Sequence, residues 1–179
     1  MEVSLYNYKN DSKITGTFLG FVEQLCLINN GFNIIDSFNK ITLQKVIYET
    51  CIDYHYYSPL TKGYPIIWLL KDETGEFQGF AVGLQPIKGV TPFIPEHVDY
   101  CEDFYIGSLY VLPRFQNKGG GTLLLNNIFK YCKDENYTKI FLNVELENVK
   151  SFNYYIKLGF KKTGYNEKNK VHFMERKIE

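Results

Sequence analysis

The sequence has no excess of either charge, since its 179 residues carry 20 Lys and Arg against 20 Asp and Glu. Nucleic-acid binding normally needs a basic face, so this balance gives no reason to expect a nucleic-acid partner. No basic run favours an anionic membrane, no apolar stretch approaches the length of a membrane span, and the first residues lack the pattern of a signal peptide. We therefore expect a cytoplasmic protein that binds neither nucleic acid nor membranes.

Cysteine and histidine are few and scattered. They are Cys26, Cys51, Cys101, Cys132, His55, His97 and His172. No two cysteines form a Cys-x-x-Cys pair and no two histidines stand at a metal-binding spacing, so we expect no metal site. Reduced, mostly buried thiols are typical of a cytosolic protein.

The chain is long enough for one domain with a full hydrophobic core. It shows no repeat, linker or low-complexity segment, so we interpret residues 1–179 as a single domain. Aromatic residues are abundant, with 15 Tyr and 14 Phe. Such residues can line a pocket or fill a core, and we interpret them as core residues. The sequence leaves the oligomeric state, including a homodimer, open.

Hydrophobic periodicity predicts an α/β domain. We predict strands at residues 3–8, 66–70, 77–83, 104–112, 139–144, 160–165 and 171–177. Two helical stretches are predicted in the first sixty residues, the clearer one at residues 42–54, and further helices at residues 120–135 and 150–158. A hairpin turn is expected at residues 72–75, where Gly75 can take a positive φ. A long polar connection with three prolines follows at residues 85–103.

The order of these elements predicts the sheet. A strand, a helix and a strand follow one another between residues 104 and 144 with no hairpin, which implies a parallel pair at the centre. The earlier hairpin and the two closing strands add antiparallel neighbours. For the helix at residues 150–158, Asn148 is a suitable N-cap and Gly159 a suitable C-terminal residue. We expect a mixed, mostly antiparallel sheet with a parallel central pair and helices on both faces.

A glycine-rich turn joins the strand at residues 104–112 to the next helix. It holds Gly119, Gly120 and Gly121 in a row. Glycines let a backbone approach a ligand closely, and the first N–H groups of a helix attract anions. This combination favours a phosphate or pyrophosphate site over a turn that merely needs a positive φ. The pattern is neither a Walker A loop nor a Rossmann fingerprint.

Around this turn the sequence resembles the GNAT family of N-acetyltransferases. Gln116-x-x-Gly119-x-Gly121 is similar to the family's Gln/Arg-x-x-Gly-x-Gly/Ala signature. The segment Leu109-Tyr110-Val111-x-Pro113 is similar to the strand that precedes this signature in the family.

The family's second motif also has a counterpart. The segment runs from Asn148 through Ser151, Tyr154, Tyr155 and Lys157 to a closing Gly159-Phe160. The matched region covers residues 104–160, and the strands on either side fit the same topology. The resemblance implies the GNAT-like acyl-CoA N-acyltransferase fold.

The resemblance also implies acetyl-CoA as co-substrate and a set of roles. Backbone amides of the turn would hold the CoA pyrophosphate, namely those of Gln116, Asn117, Lys118, Gly119, Gly120, Gly121 and Thr122. Pantetheine would lie between splayed central strands along Leu109, Tyr110 and Val111, with the Leu109 amide polarising the acetyl carbonyl. Asn148 would bond CoA through its side chain. Tyr155 would protonate the departing thiolate.

Two positions depart from the family pattern. Gly120 replaces a bulky apolar residue, which costs helix propensity on the order of 1 kcal/mol relative to Ala and is expected to loosen the turn without CoA. Tyr105 stands where the family often carries a basic residue, and a phenol is a poor base at neutral pH. Glu102 or Asp103 could serve as the base, directly or through water. A water relay alone is the remaining alternative.

The chemistry implied is direct transfer of an acetyl group to an amine, which must be neutral to attack. We expect a primary amine of a small molecule or peptide as acceptor. The loop before the central strand carries Glu96, Asp99, Glu102 and Asp103, which would attract a cationic amine or form an ordinary solvated surface. The alternative function is an acyl-CoA-binding regulatory protein without catalytic activity, and the presence of Tyr155 favours the enzyme.

Overall fold

A computed structural model describes residues 1–5, 66–86 and 94–179. The strands of this part are β1 (Glu2–Leu5), β2 (Ile66–Lys71), β3 (Phe77–Leu84), β4 (Asp103–Val111), β5 (Lys139–Glu145), β6 (Lys161–Asn166) and β7 (Val171–Lys177). The helices are α1 (Gly120–Asp134) and α2 (Val149–Lys157). The helix predicted at residues 42–54 and the less clear helical stretch before it lie outside the described residues, as do residues 6–8 of the first predicted strand and residues 87–93 of the long connection.

The described strands form one sheet in the order β1-β2-β3-β4-β5-β7-β6. Only β4 and β5 run parallel, and every other neighbouring pair is antiparallel. The predicted mixed sheet with a parallel central pair is therefore confirmed. The last strand, β7, lies inside the sheet against β5, and β6 forms the edge.

Local sequence accounts for the hairpin between β2 and β3. The Asp72 carboxylate accepts hydrogen bonds from the backbone N–H groups of Thr74 and Glu76, at 2.8 and 2.9 Å. Gly75 has a φ of 84°, a left-handed value that suits glycine. The turn predicted at residues 72–75 is confirmed.

The main core lies between one face of the sheet and the two helices. Leu124, Leu125, Ile128 and Cys132 of α1 are fully buried there, at the 3.6-residue spacing that the sequence predicts. Each fully buried Leu or Ile contributes about 1.5–3 kcal/mol of hydrophobic stabilisation. Tyr155 of α2 belongs to the same cluster.

A smaller cluster covers the other face of the sheet. Tyr105 and Phe141 stack there with ring centroids 5.0 Å apart, and Val98 is buried with them. Ile94 and Leu84 pack against the three. The connection that follows β3 therefore contributes to this face. No helix in the described part of the chain has the length and apolarity that a membrane span needs.

Candidate active site

The two central strands separate partway along their length. β4 and β5 are paired from Asp103 and Lys139 as far as Ile106 and Leu142. Beyond these residues β4 continues to Val111 along β3 alone, while β5 continues to Glu145 along β7. In the described sheet, the second half of β4 thus has an open side toward β5.

A β-bulge on β4 marks the place where the strands separate. Val82 pairs with Ser108 and Gly83 pairs with Ile106, so Gly107 is an extra residue on β4. Gly107 and Ser108 are exposed although their strand is central in the sheet. An exposed backbone at the centre of a sheet is a groove that a ligand can enter.

The bulge also changes which residues face the main core. Before it, Phe104 and Ile106 point into that core, whereas after it Leu109 and Val111 do so. Without the extra residue, strict alternation would turn Leu109 toward the face that carries Tyr105. The bulge therefore fixes the orientation of the segment that we expect to line the cofactor.

A tight turn follows β4. Residues Pro113–Phe115 form a short 3-10 helix, and Gln116 Nε2 donates a hydrogen bond of 2.9 Å to the carbonyl of Val111. Asn117 and Gly119 take left-handed φ values of 61° and 86°. The chain thereby reverses direction and enters α1 beside the end of β4.

The first turn of α1 offers backbone donors. Gly119 is its N-cap, no side chain caps it, and its first turn contains no acidic residue. The first N–H groups of a helix lack intrahelical partners and lie at the positive end of the helix dipole. A Cβ atom built on Gly119 would meet no atom of the described residues within 4 Å, so this part of the structure leaves the space in front of the turn open.

The three glycines have three different structural causes. Gly119 needs its left-handed φ, whereas a Cβ on Gly120 would lie 2.6 Å from Leu70 Cδ2 in the core. A Cβ on Gly121 would lie 2.9 Å from the hydroxyl oxygen of Tyr154. Gly120 is buried, so its departure from the family pattern reflects close packing of α1 on β2. Packing and a positive φ therefore explain the run of glycines without a ligand.

The first turn of α2 lies beside the turn that leads into α1. Asn148 caps α2 as predicted, its Oδ1 accepting a hydrogen bond of 3.0 Å from the Ser151 N–H. Asn148 Nδ2 is then available to donate to a ligand. Lys150 Nζ donates a hydrogen bond of 2.9 Å to Gln116 Oε1 and so joins α2 to the turn.

Two tyrosines of α2 lie side by side, with ring centroids 5.4 Å apart. Tyr154 is half-buried, and its hydroxyl lies 3.4 Å from Thr122 Oγ1 in the first turn of α1. Tyr155 is buried and packs edge-on against Phe160. Burial, with a smaller contribution from Tyr154, raises the pKa of the Tyr155 phenol, so the group stays protonated at neutral pH.

The structure places Tyr105 on the far face of β4. Its hydroxyl accepts a long hydrogen bond of 3.4 Å from Asn143 Nδ2. Burial raises the pKa of this phenol, a shift that the Asn143 contact only partly offsets. Tyr105 is thus a still poorer base than a solvated tyrosine.

The acidic loop does not join the rest of the site. Glu102 precedes β4, and at about 3.3 Å per residue it lies roughly 20 Å along the strand from Leu109. Asp103 is buried in an ion pair with Lys139 Nζ at 3.0 Å, and it also accepts bonds from the Asp99 N–H and Thr138 Oγ1. The expectation that Asp103 belongs to an exposed rim needs correction, because its carboxylate already has these structural partners. Glu96, Asp99 and Glu102 are exposed.

Sequence comparison shows to which protein family the chain belongs. The model of the acetyltransferase (GNAT) family matches residues 35–160 of the chain. The chain belongs to the GNAT family. No curated protein matches the sequence.

Solved GNAT structures resemble the whole chain. An N-acetyltransferase from Staphylococcus aureus is 18% identical, with a TM-score of 0.64 and 100% of both chains covered. A chimera of spermidine N-acetyltransferase from Vibrio cholerae and hSSAT is 18% identical, with a TM-score of 0.63 and coverage of 99% of this chain and 96% of that one. PaiA N-acetyltransferase from Thermoplasma acidophilum, solved with coenzyme A, is 16% identical, with a TM-score of 0.61 and coverage of 99% of both chains. At these identities the likeness shows a shared fold.

Within this GNAT domain, most of the predicted cofactor residues come together. Leu109, Tyr110 and Val111 lie on the open half of β4, residues 116–122 form the turn beyond it, and α2 closes the group from the side. Sequence reasoning missed Gly107 and Lys150. A glycine inside a strand is the signal for a bulge, and a lysine in the first turn of a helix is the signal for an unusual charge.

Proposed function

We propose that this GNAT protein is a cytoplasmic, single-domain enzyme that transfers an acetyl group from acetyl-CoA to a primary amine of a small molecule or peptide. The observation that carries the proposal is the open side of β4 between Ile106 and Val111. This groove leads to the uncapped start of α1. An extended pantetheine arm suits the groove, and a diphosphate suits the helix start.

The chemistry is a direct transfer. The neutral amine nitrogen attacks the thioester carbonyl carbon, a C–N bond forms, and the C–S bond breaks. The Leu109 N–H is proposed to donate to the carbonyl oxygen while it carries negative charge. The Tyr155 hydroxyl is proposed to give its proton to the departing sulfur. A cationic amine gives up one proton to water before it attacks, and its nitrogen gives up a second as the amide forms. One proton returns through water to the Tyr155 oxygen, and the other is released to solvent.

The route of that last proton runs through water in this proposal. Tyr105 is buried and its raised pKa makes it unable to accept a proton near neutral pH. Asp103 is engaged by Lys139, and Glu102 lies far along β4 from Leu109. A water chain from the groove to solvent needs none of these residues as the immediate base.

The acceptor is proposed to be cationic in solution. Glu96, Asp99 and Glu102 form an exposed acidic loop at the end of β4 opposite to the groove, and the proposal is that its field draws such an amine toward the protein without contacting it at Leu109. A spermidine N-acetyltransferase chimera shares the fold. Polyamines therefore belong in the acceptor panel beside aminoglycosides and peptides with a free N-terminus.

Cofactor binding is the first test. Acetyl-CoA should raise the melting temperature of the wild-type protein, because it binds only the native state. Gly119→Asp should remove this shift by placing a carboxylate before the helix start. Gly119→Asn is the matched neutral control, since Asn tolerates a left-handed φ better than most residues and the Cβ position is open. Equal acetyl-CoA shifts in the Asp variant and the wild type would refute the assignment of this turn.

Turnover is the second test and separates the enzyme from a regulator. The enzyme should release free CoA thiol from acetyl-CoA only when a suitable amine from the panel is present. A protein that binds acetyl-CoA but releases no thiol with any amine would instead be an acyl-CoA-binding regulatory protein.

A further inference from the structure

Lys150 holds an unusual position for a positive charge. It lies in the first turn of α2, one residue after the first residue Val149. Its ammonium contacts Gln116, the first residue of the turn that leads into α1. The charge therefore lies between the first turn of α2 and the turn that leads into α1.

Both helices start without an acidic side chain in the first turn, although Glu147 precedes the cap of α2. The salt bridges found among the described residues involve Arg114, Lys130, Lys139 and His97, and not Lys150. A lysine in the first turn of a helix is repelled by the helix dipole. An anion bound near Lys150 would offset this repulsion.

The contact with Gln116 also fixes where the ammonium lies. Gln116 Nε2 is held by the Val111 carbonyl at 2.9 Å, which directs Oε1 toward Lys150. One N–H of the ammonium bonds to this oxygen, and two donors remain for another acceptor. Gln116 itself is neutral, so Lys150 provides the charge at this end of the turn.

We infer that Lys150 is a cofactor-binding residue whose ammonium pairs with the diphosphate of acetyl-CoA. The inference rests on the proposed function. We assign the diphosphate, rather than another part of acetyl-CoA, because Lys150 contacts the turn whose backbone N–H groups are proposed to bind the diphosphate. Gln116 acts as a positioning residue that holds the ammonium beside those donors.

The test compares Lys150→Gln with Lys157→Gln, an equal charge change two turns later on α2. Isothermal titration of CoA should show a loss of affinity of about ten- to a hundredfold for Lys150→Gln, since hydrogen bonds to charged groups are strong. Lys157→Gln should bind CoA within about twofold of wild type. Dephospho-CoA keeps the diphosphate and should show the same loss. Pantetheine, which has no phosphate, should bind wild type and Lys150→Gln alike.

Other outcomes overturn the inference. If the loss disappears with dephospho-CoA, Lys150 binds the 3′-phosphate and the diphosphate assignment is wrong. Equal CoA affinity of Lys150→Gln and wild type would remove Lys150 from the site while the proposed function stands. Failure of the wild type itself to bind CoA would instead refute the proposed function.

A stability measurement excludes a purely structural role. Without cofactor, Lys150→Gln should melt at the wild-type temperature or above, because removing the lysine relieves repulsion by the helix dipole. A clear fall in the melting temperature of the cofactor-free variant would show that Lys150 stabilises the fold, and would contradict the inference.

Discussion

At the scale of single residues, Gly120 shows how packing can replace helix propensity. Gly lowers helix stability by about 1 kcal/mol relative to Ala in an exposed position. Here Gly120 is buried at the contact between α1 and β2, where Leu70 is fully buried as well. Leu70 cannot easily move away from an added methyl group, because its own surroundings are close-packed.

The first prediction concerns this contact. Gly120→Ala is expected to lower the free energy of unfolding by about 1–3 kcal/mol, the usual cost of overpacking, despite its better helix propensity. Leu70→Val shortens the opposing side chain. The double variant should therefore lose less free energy of unfolding than the two single variants lose in sum. Urea unfolding of the four proteins measures this coupling. A more stable Gly120→Ala variant would mean that Leu70 yields freely.

The second prediction concerns the proposed acid. Tyr155→Phe removes one oxygen and keeps the ring that packs against Phe160. We expect kcat to fall by roughly ten- to a thousandfold, in line with the contribution of general acid–base catalysis. Affinity for acetyl-CoA should change little, since one neutral hydrogen bond is worth about 1 kcal/mol.

Tyr154→Phe is the matched control. Among residues 1–5, 66–86 and 94–179, its hydroxyl has only the long 3.4 Å hydrogen-bond contact with Thr122, so kcat should stay near the wild-type value. Single-turnover measurements ensure that chemistry, and not product release, is observed. Full single-turnover activity of Tyr155→Phe would exclude Tyr155 as the acid, and a loss confined to Tyr154→Phe would transfer the role to its neighbour.

At the scale of elements, the start of β4 is anchored by a buried carboxylate. Asp103 is 1% exposed and bonds to Lys139 on β5, to Thr138 before it, and to the Asp99 N–H in the preceding loop. These bonds join the parallel pair at the end opposite to the groove. One end of the β4–β5 pair is therefore held together, and the two strands separate toward the other end.

The third prediction follows from this anchor. Asp103→Asn leaves Lys139 with an amide and the more distant Glu175 carboxylate at 3.6 Å, and we expect the free energy of unfolding to fall by about 1.5–3 kcal/mol. Glu102→Gln, next to it and exposed, is the matched control and should stay within about 0.5 kcal/mol of wild type. Urea unfolding at neutral pH compares the two. Equal stability of both variants would show that the buried pair contributes nothing.

The sequence predicts where helices and strands lie better than it predicts bulges and long-range side-chain contacts. The strand at residues 171–177 and the cap at Asn148 are local patterns, and both are confirmed. The bulge at Gly107 has a local signal in its glycine, but its position depends on how β4 pairs with β3. The same holds for Lys150, whose partner Gln116 is 34 residues away.

At the scale of the whole molecule, order along the chain predicts the parallel pair, but not which strands become neighbours at the edge. β7 lies between β5 and β6, so the final strand pairs with an element some 30 residues earlier. The contact of Leu70 with Gly120 likewise joins β2 to α1. Such contacts arise from the assembled core, and they explain why Gly120 departs from its expected residue type.

The core also makes the stability of the whole molecule sensitive to alkaline pH. Burial raises the pKa of the Cys132 thiol above its ordinary value of 9.0 and that of the Tyr155 phenol above 10.0. Burial also raises the pKa of Tyr105. Unfolding exposes all three groups and restores their ordinary pKa values. Above about pH 9 the unfolded chain therefore releases protons that the folded protein retains.

The fourth prediction is that the free energy of unfolding is level between about pH 7.5 and 8.5 and falls as the pH rises from about 9 to 10.5. Each buried group contributes a slope of up to about 1.4 kcal/mol per pH unit once its unfolded form is ionised. Melting temperatures measured between pH 7.5 and 10.5 test this. Cys132→Ala should have a lower melting temperature throughout, because it leaves a cavity, but a shallower decline between pH 9 and 10, because the lowest ordinary pKa has been removed. A wild-type melting temperature that stays level to pH 10.5 would show that these groups ionise as readily in the folded protein as in the unfolded chain.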